Sequence, residues 1–175
     1  AETTAALSAA VSALGGVHSF AAETPDKVGL GIIGCGGIMT HHVKGLVSRK
    51  EDVSISWLCD VDPAQIERMA TVMEGFQSSS AKQTIKFEDV IEDRDVDAVI
   101  IATPHHWHAP MAIAAMENGK DTYIEKPISH VFDEGPMIIA AADKYDRVVQ
   151  QGSQMRVSPV IEQSGELRAQ GIIGE

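Results

Sequence analysis

Val28-Gly-Leu-Gly-Ile-Ile-Gly-Cys-Gly-Gly-Ile-Met39 is an apolar run that halts at a cluster of glycines and then resumes with helical periodicity. Residues Val28 to Ile33 read as a strand buried on both faces, as in a parallel sheet. Gly34-Cys35-Gly36-Gly37 reads as a tight turn whose bare backbone lets a ligand approach closely, since no Cβ stands in the way. The helix that follows offers unpaired N–H groups at its start, and these suit a phosphate. The pattern is G-x-G-x-x-G with Met39 in the third glycine slot.

A second apolar run, Val53 to Cys59, ends on Asp60, twenty-four residues after Gly36. An acid at that distance accepts hydrogen bonds from an adenosine ribose and repels a 2′-phosphate, and Val61-Asp62-Pro63 beside it brings no arginine. Strand, turn, helix and acid together predict a dinucleotide site that favours NAD over NADP, with Gly34, Gly36, Gly37, Ile38 and Asp60 among its contacts. The plainer alternative is an ordinary glycine turn, with Asp60 capping the helix that starts at Pro63.

The 175 residues are 44% apolar, carry a formal net charge of −11 and have a mean hydropathy near zero. That suffices for one full globular domain and a little more. The acidity argues against a nucleic-acid backbone or an anionic membrane as partner, and the pattern contains no membrane span. Cys35 and Cys59 lack metal-ligand or C-x-x-C spacing and read as buried thiols. A disulfide between them is conceivable, because the ends of strands one and two adjoin, but it would crowd the turn.

Residues 1–26 differ from the rest. Ala5 to Val17 is uncharged and rich in small residues, and Ser19-Phe20-Ala21 has small residues where a signal peptidase cuts. The segment reads as the remnant of a weakly apolar export signal of the twin-arginine type, which makes the protein periplasmic or exported. An N-terminal arm on a cytoplasmic protein is the alternative.

From residue 27 to 157, strands and helices alternate at βαβ spacing, which predicts an α/β fold with a doubly wound parallel sheet in the order 3-2-1-4-5-6, a Rossmann arrangement. Strands are expected at Val28 to Ile33, Val53 to Cys59, Thr84 to Phe87, Ala98 to Ala102, Thr122 to Ile124 and Val148 to Gln151. Helices are expected at Met39 to Ser48, Pro63 to Glu74, Phe87 to Glu92, Ala109 to Asn118, Val131 to Tyr145 and Pro159 to Gln170. Residues 158–175 read as a linking helix and the start of a further domain, so the chain is expected to be the N-terminal part of a two-domain protein.

Ligands in this topology sit beyond the carboxyl ends of the strands, at the crevice between strands one and four. Strand four is followed by Ala102-Thr-Pro-His-His-Trp-His108 and strand five by Glu125-Lys126-Pro127, so both segments face that crevice. With Gly34-Cys-Gly-Gly-Ile-Met-Thr-His-His42 and Asp60 they resemble the Gfo/Idh/MocA oxidoreductase family, over essentially all of Val28 to Glu175. The Glu-Lys-Pro triplet, at this distance beyond Thr-Pro-x-x-x-His, is the specific part of the match.

The resemblance implies a NAD-dependent enzyme in which Lys126 is the catalytic lysine, close to the nicotinamide and the substrate hydroxyl. An amine there can orient that hydroxyl and help move its proton during hydride transfer. The resemblance further implies that Glu125 lines the nicotinamide-ribose side, that Thr103, Pro104, His105, Trp107 and His108 wall the cofactor, and that Gln154 contacts its nicotinamide end. Some of these histidines can equally serve as hydrogen-bonded structural residues. His41, His42, His105, His106 and His108 follow strands one and four, so a metal site is geometrically conceivable. Helical neighbours diverge, however, so one residue of each pair at most can reach an ion, and no metal is expected.

The activity implied is hydride transfer to or from a secondary hydroxyl of a small-molecule sugar or cyclitol. Two other readings stand beside it: a redox-neutral glycoside hydrolase that holds NAD tightly, and a non-catalytic module that keeps the nucleotide fold. Substrate choice, the general base and a homo-oligomeric contact are expected from the further domain.

Overall fold

The computed structural model describes residues 27–172, so the export-signal reading of residues 1–26 lies outside the described residues. Six strands, β1 (Val28–Ile33), β2 (Val53–Cys59), β3 (Lys82–Thr84), β4 (Ala98–Ile101), β5 (Asp121–Glu125) and β6 (Val149–Gly152), form one sheet in the order β3-β2-β1-β4-β5-β6. Every pairing in it is parallel. Between the strands run α1 (Gly37–Leu46), α2 (Pro63–Met73), α3 (Phe87–Glu92), α4 (His108–Glu117) and α5 (Glu134–Tyr145), and α6 (Pro159–Ala169) follows the last strand. The strand order reverses between β1 and β4, which opens a crevice at their carboxyl ends.

Alternation along β1 assigns its side chains to two separate cores. Ile32 packs with Met39 and Val43 of α1 and Ile66 and Met69 of α2 on one face. Ile33 packs on the other with Val90 of α3, Ala112 and Met116 of α4 and Ile138 of α5. Burying each large aliphatic side chain contributes about 1.5–3 kcal/mol, so the sheet is held from both sides and its loops ride on a rigid platform. α6 carries no buried residue.

Several boundaries differ by one to three residues from those expected, and three of the differences have a clear local cause. β3 pairs Lys82–Thr84 with Trp57–Cys59 and stops where a strand from Thr84 to Phe87 was expected. Thr84 Oγ1 accepts the Lys86 N–H at 3.0 Å, turning the chain, and leaves Ile85 57% exposed. α1 begins at Gly37 instead of Met39, because a first-turn position has no intrahelical N–H partner to lose and glycine's low propensity matters little there. α5 begins at Glu134, not Val131, because the Glu134 carboxylate reaches back to accept the N–H groups of His130 (2.6 Å) and Val131 (3.2 Å) and holds residues 130–133 as a turn.

Candidate active site

The glycine turn is built by close approach on one side and open space on the other. Gly34 has φ +92°, and a Cβ there would lie 2.7 Å from the carbonyl carbon and oxygen of Ala102. Only glycine fits where β1 and the loop after β4 touch. At Gly36 and Gly37 a Cβ would meet nothing within 4 Å, so these two present bare backbone to an open cradle. The start of α1 has no side-chain cap and no acid in its first turn. A diphosphate therefore fits at the helix start, where the N–H groups have no side-chain cap and the first turn carries no carboxylate to repel it. Met39, in the third glycine slot, is fully buried and packs in the core.

Two side chains clamp the turn. The Cys35 N–H donates to Asp60 Oδ2 at 2.7 Å, and Arg68 Nη2 donates to the Cys35 carbonyl at 2.7 Å. Asp60 Oδ1 also accepts the Asp62 N–H at 3.0 Å. Asp60 is thus part of the turn as well as a candidate ribose acceptor, and a carboxylate has lone pairs enough for both. Arg68 is a member of the site that its place in the second turn of α2 did not signal. Cys35 and Cys59 are free and buried, and burial, reinforced by the Asp60 charge, pushes each thiol up to about 12.

From the cradle, a cleft of about 440 Å³ runs past Gly34, Gly36 and Asp60 to Thr103, Pro104 and Trp107. Ile85, Lys86 and Phe87 form its far wall, none of them expected from local pattern. Trp107 is half-exposed, with its ring tilted 6.5 Å from that of Phe87, an apolar lining that suits a flat ring.

Two histidines stand elsewhere than expected. His106 lines the cleft, whereas the His105 ring packs 4.8 Å from that of His130. His108 is 1% exposed, with Nδ1 2.6 Å from the Pro127 carbonyl and Nε2 2.9 Å from the Thr103 carbonyl. It sits behind the wall and ties the loop after β4 to the loop after β5. Ile38, at the helix start, is partly exposed.

Lys126 is exposed on the loop immediately after β5. Its neighbour Glu125 is 3% exposed and so lies within the wall, not on its surface. Glu125 Oε1 accepts from His42 Nε2 at 2.8 Å, with Gln154 Nε2 at 3.4 Å, and Oε2 accepts the Lys126 N–H at 3.0 Å. Gln154 is thereby brought to the same loop. His41 is exposed while His42 turns inward, so the pair diverges. Among the described residues, no group of three or more His, Cys, Asp or Glu is placed to hold a metal ion.

Comparison with known proteins agrees with this geometry. A sequence model described as "Oxidoreductase family, NAD-binding Rossmann fold" (GFO_IDH_MocA) matches residues 28–153. A "Glycosyl hydrolase family 109 protein" of Shewanella pealeana is 35% identical over 125 residues, which are 68% of this chain and 27% of the relative. An "Alpha-N-acetylgalactosaminidase" of Shewanella oneidensis is 32% identical over 123 residues, again 68% and 27%. The chain spans about a quarter of the length of these curated relatives. Among solved structures, the WlbA dehydrogenase of Chromobacterium violaceum, in complex with NADH and UDP-GlcNAcA, superposes with a TM-score of 0.72 at 24% identity over 83% of this chain and 41% of that one. A strand order of 3-2-1-4-5-6, a glycine cradle at a helix start and a lysine after β5 are thus found together with the family's sequence pattern, and the chain belongs to the Gfo/Idh/MocA oxidoreductases, with their NAD-binding Rossmann domain over residues 28–153.

Proposed function

We propose that this chain supplies the NAD-binding part of an enzyme that takes hydride from, or returns it to, a carbon bearing a secondary hydroxyl in a sugar or cyclitol. One observation carries the reading: an exposed lysine, Lys126, follows a buried, hydrogen-bonded carboxylate at the carboxyl end of β5, the strand paired with β4, whose following loop lines a cleft that fits a dinucleotide. When bound, NAD supplies a hydride acceptor, which either departs as NADH or gives the hydride back to the same sugar. The chain's own residues do the rest. The N–H groups at Gly36 and Gly37 and the start of α1 hold the diphosphate, while Asp60 accepts from the adenosine ribose and disfavours a 2′-phosphate. Lys126 Nζ orients the sugar hydroxyl and takes or gives its proton.

The names of the two Shewanella relatives favour a second version of this chemistry, glycoside hydrolysis with no net redox change. Export, read from Ala5 to Val17, favours it too, because an exported enzyme meets no free NAD pool and must retain its cofactor. The test uses the full-length protein purified without added nucleotide. Release of NAD(H) on denaturation, with cleavage of a nitrophenyl α-N-acetylgalactosaminide and no rise in reduced-nicotinamide absorbance, supports the hydrolase. NADH production from a free sugar or cyclitol supports the dehydrogenase. If NAD binds but neither reaction occurs, with Lys126→Ala leaving that behaviour untouched, the chain is a binding module and both versions fall.

A further inference from the structure

We infer that His42 is a positioning residue for Lys126, acting through Glu125; the inference rests on the reading of Lys126 as the catalytic lysine. Glu125 closes β5 at 3% exposure, and a carboxylate buried so deeply persists only when its oxygens are partnered. The two oxygens are partnered differently. Oε1 accepts from His42 Nε2 at 2.8 Å, and Oε2 accepts the Lys126 backbone N–H at 3.0 Å. The carboxylate is therefore a two-ended brace between α1 and the lysine loop.

The surroundings leave this brace little freedom. The Tyr123 ring meets the His42 ring edge-on at 5.1 Å, fixing the imidazole's orientation. A Cβ on Gly152 would lie 2.7 Å from Tyr123 Oη and 3.0 Å from Glu125 Oε1, so β6 presses on the same two groups. Gln154 Nε2, at 3.4 Å, is the remaining side-chain contact of Oε1, and it is long. Without His42 the carboxylate loses its short partner, turns to find another, and Oε2 releases the Lys126 amide. A displacement of about 1 Å at a reacting group costs on the order of 100-fold in rate. His42 reaches the lysine loop through its hydrogen bond to Glu125, and that contact is the route by which it acts.

α1 supplies both ends of this connection: its first turn borders the diphosphate cradle, and His42, farther along the same helix, holds the brace. The cradle and the lysine are set against one another by a single rigid element.

The test compares His42→Ala, His42→Gln, Lys126→Ala and the double variant His42→Ala/Lys126→Ala in the full-length protein. Amide hydrogen exchange of peptides spanning residues 121–128 reads the brace without any substrate. Loss of His42 is expected to speed exchange there by about 10-fold or more, with the peptides of the glycine turn and the affinity for NAD unchanged. His42→Gln, which restores an N–H donor toward Oε1, is expected to recover the protection. With nitrophenyl α-N-acetylgalactosaminide as probe, His42→Ala should lower kcat by about 10- to 100-fold and leave KM nearly unchanged. The double variant should be no slower than Lys126→Ala alone, because His42 acts through that lysine.

Unchanged exchange at residues 121–128 in His42→Ala overturns the inference, as does a glutamine variant no better than alanine. A normal rate in Lys126→Ala overturns the functional reading instead, and exchange still judges the brace. Should His42→Ala fail to fold, Glu125→Gln carries the same exchange measurement, with faster exchange at residues 121–128 expected and wild-type protection there overturning the inference.

Discussion

Gly34 and Gly36 belong to one motif and differ in what they do, which a single extra methyl group on each can separate. At Gly34 that methyl meets the Ala102 backbone at 2.7 Å in a left-handed conformation, so Gly34→Ala is expected to destabilise the domain by more than about 2 kcal/mol, measured by chemical denaturation. At Gly36 the methyl enters the open cradle, so Gly36→Ala should cost under about 1 kcal/mol in stability yet weaken NAD binding about 10-fold or more in a fluorescence titration. Cys35 and Cys59 give a second residue-level expectation. Burial raises each thiol from 9.0 to about 12, so the folded state holds protons that the unfolded state loses above pH 9. Their contribution is fully present below about pH 9 and is lost as pH rises toward 12. Alkylation of both at pH 8 should proceed only as fast as the domain opens, and rapid modification of either would contradict their burial.

At the scale of elements, Asp93 shows how a residue just beyond a helix ties strands together. Following α3, its carboxylate accepts from Trp57 Nε1 of β2 and Lys82 Nζ of β3, each at 2.7 Å, and from the Asp95 N–H at 2.9 Å. The Lys82 hydrogen bond foremost, then the Asp95 N–H and Trp57, hold it well below the usual carboxylate range. A carboxylate depressed in the folded state contributes stability that is present above its unfolded value near pH 4 and is lost as pH falls below it. Asp93→Asn should therefore cost about 1–3 kcal/mol at neutral pH, a gap that narrows between pH 4 and pH 2 in urea titrations. Element boundaries were legible from residue order where a cap or proline marks them, as at Asp62-Pro63, whose carboxylate accepts the Ala64 N–H at 3.0 Å. They were misplaced where a side chain from within the next helix reaches back, as Glu134 does, because the hydrophobic period runs on through such a turn unchanged.

For the molecule as a whole, binding of NAD to the folded state alone must raise stability by mass action. At a free concentration of about 100 Kd the gain is about 2.7 kcal/mol, visible as a rise in Tm, with a smaller rise from NADP at the same concentration. An equal rise with both would remove Asp60 from its ribose role. Residue order alone was sufficient for the doubly wound sheet, its strand order, the cradle at Gly34 to Gly37, the acid after β2 and the lysine after β5. These follow from local periodicity, from the backbone freedom of glycine and from the handedness of βαβ units, all of which act over a few tens of residues. Folding was needed to bring His42 to Glu125 across 83 residues of chain, Arg68 to the Cys35 carbonyl across 33, and both nitrogens of His108 to backbone carbonyls behind the cleft wall. No local pattern encodes such pairs, because each partner's type is ordinary at its own position and the contact exists only where parallel strands and the helices between them set distant loops side by side.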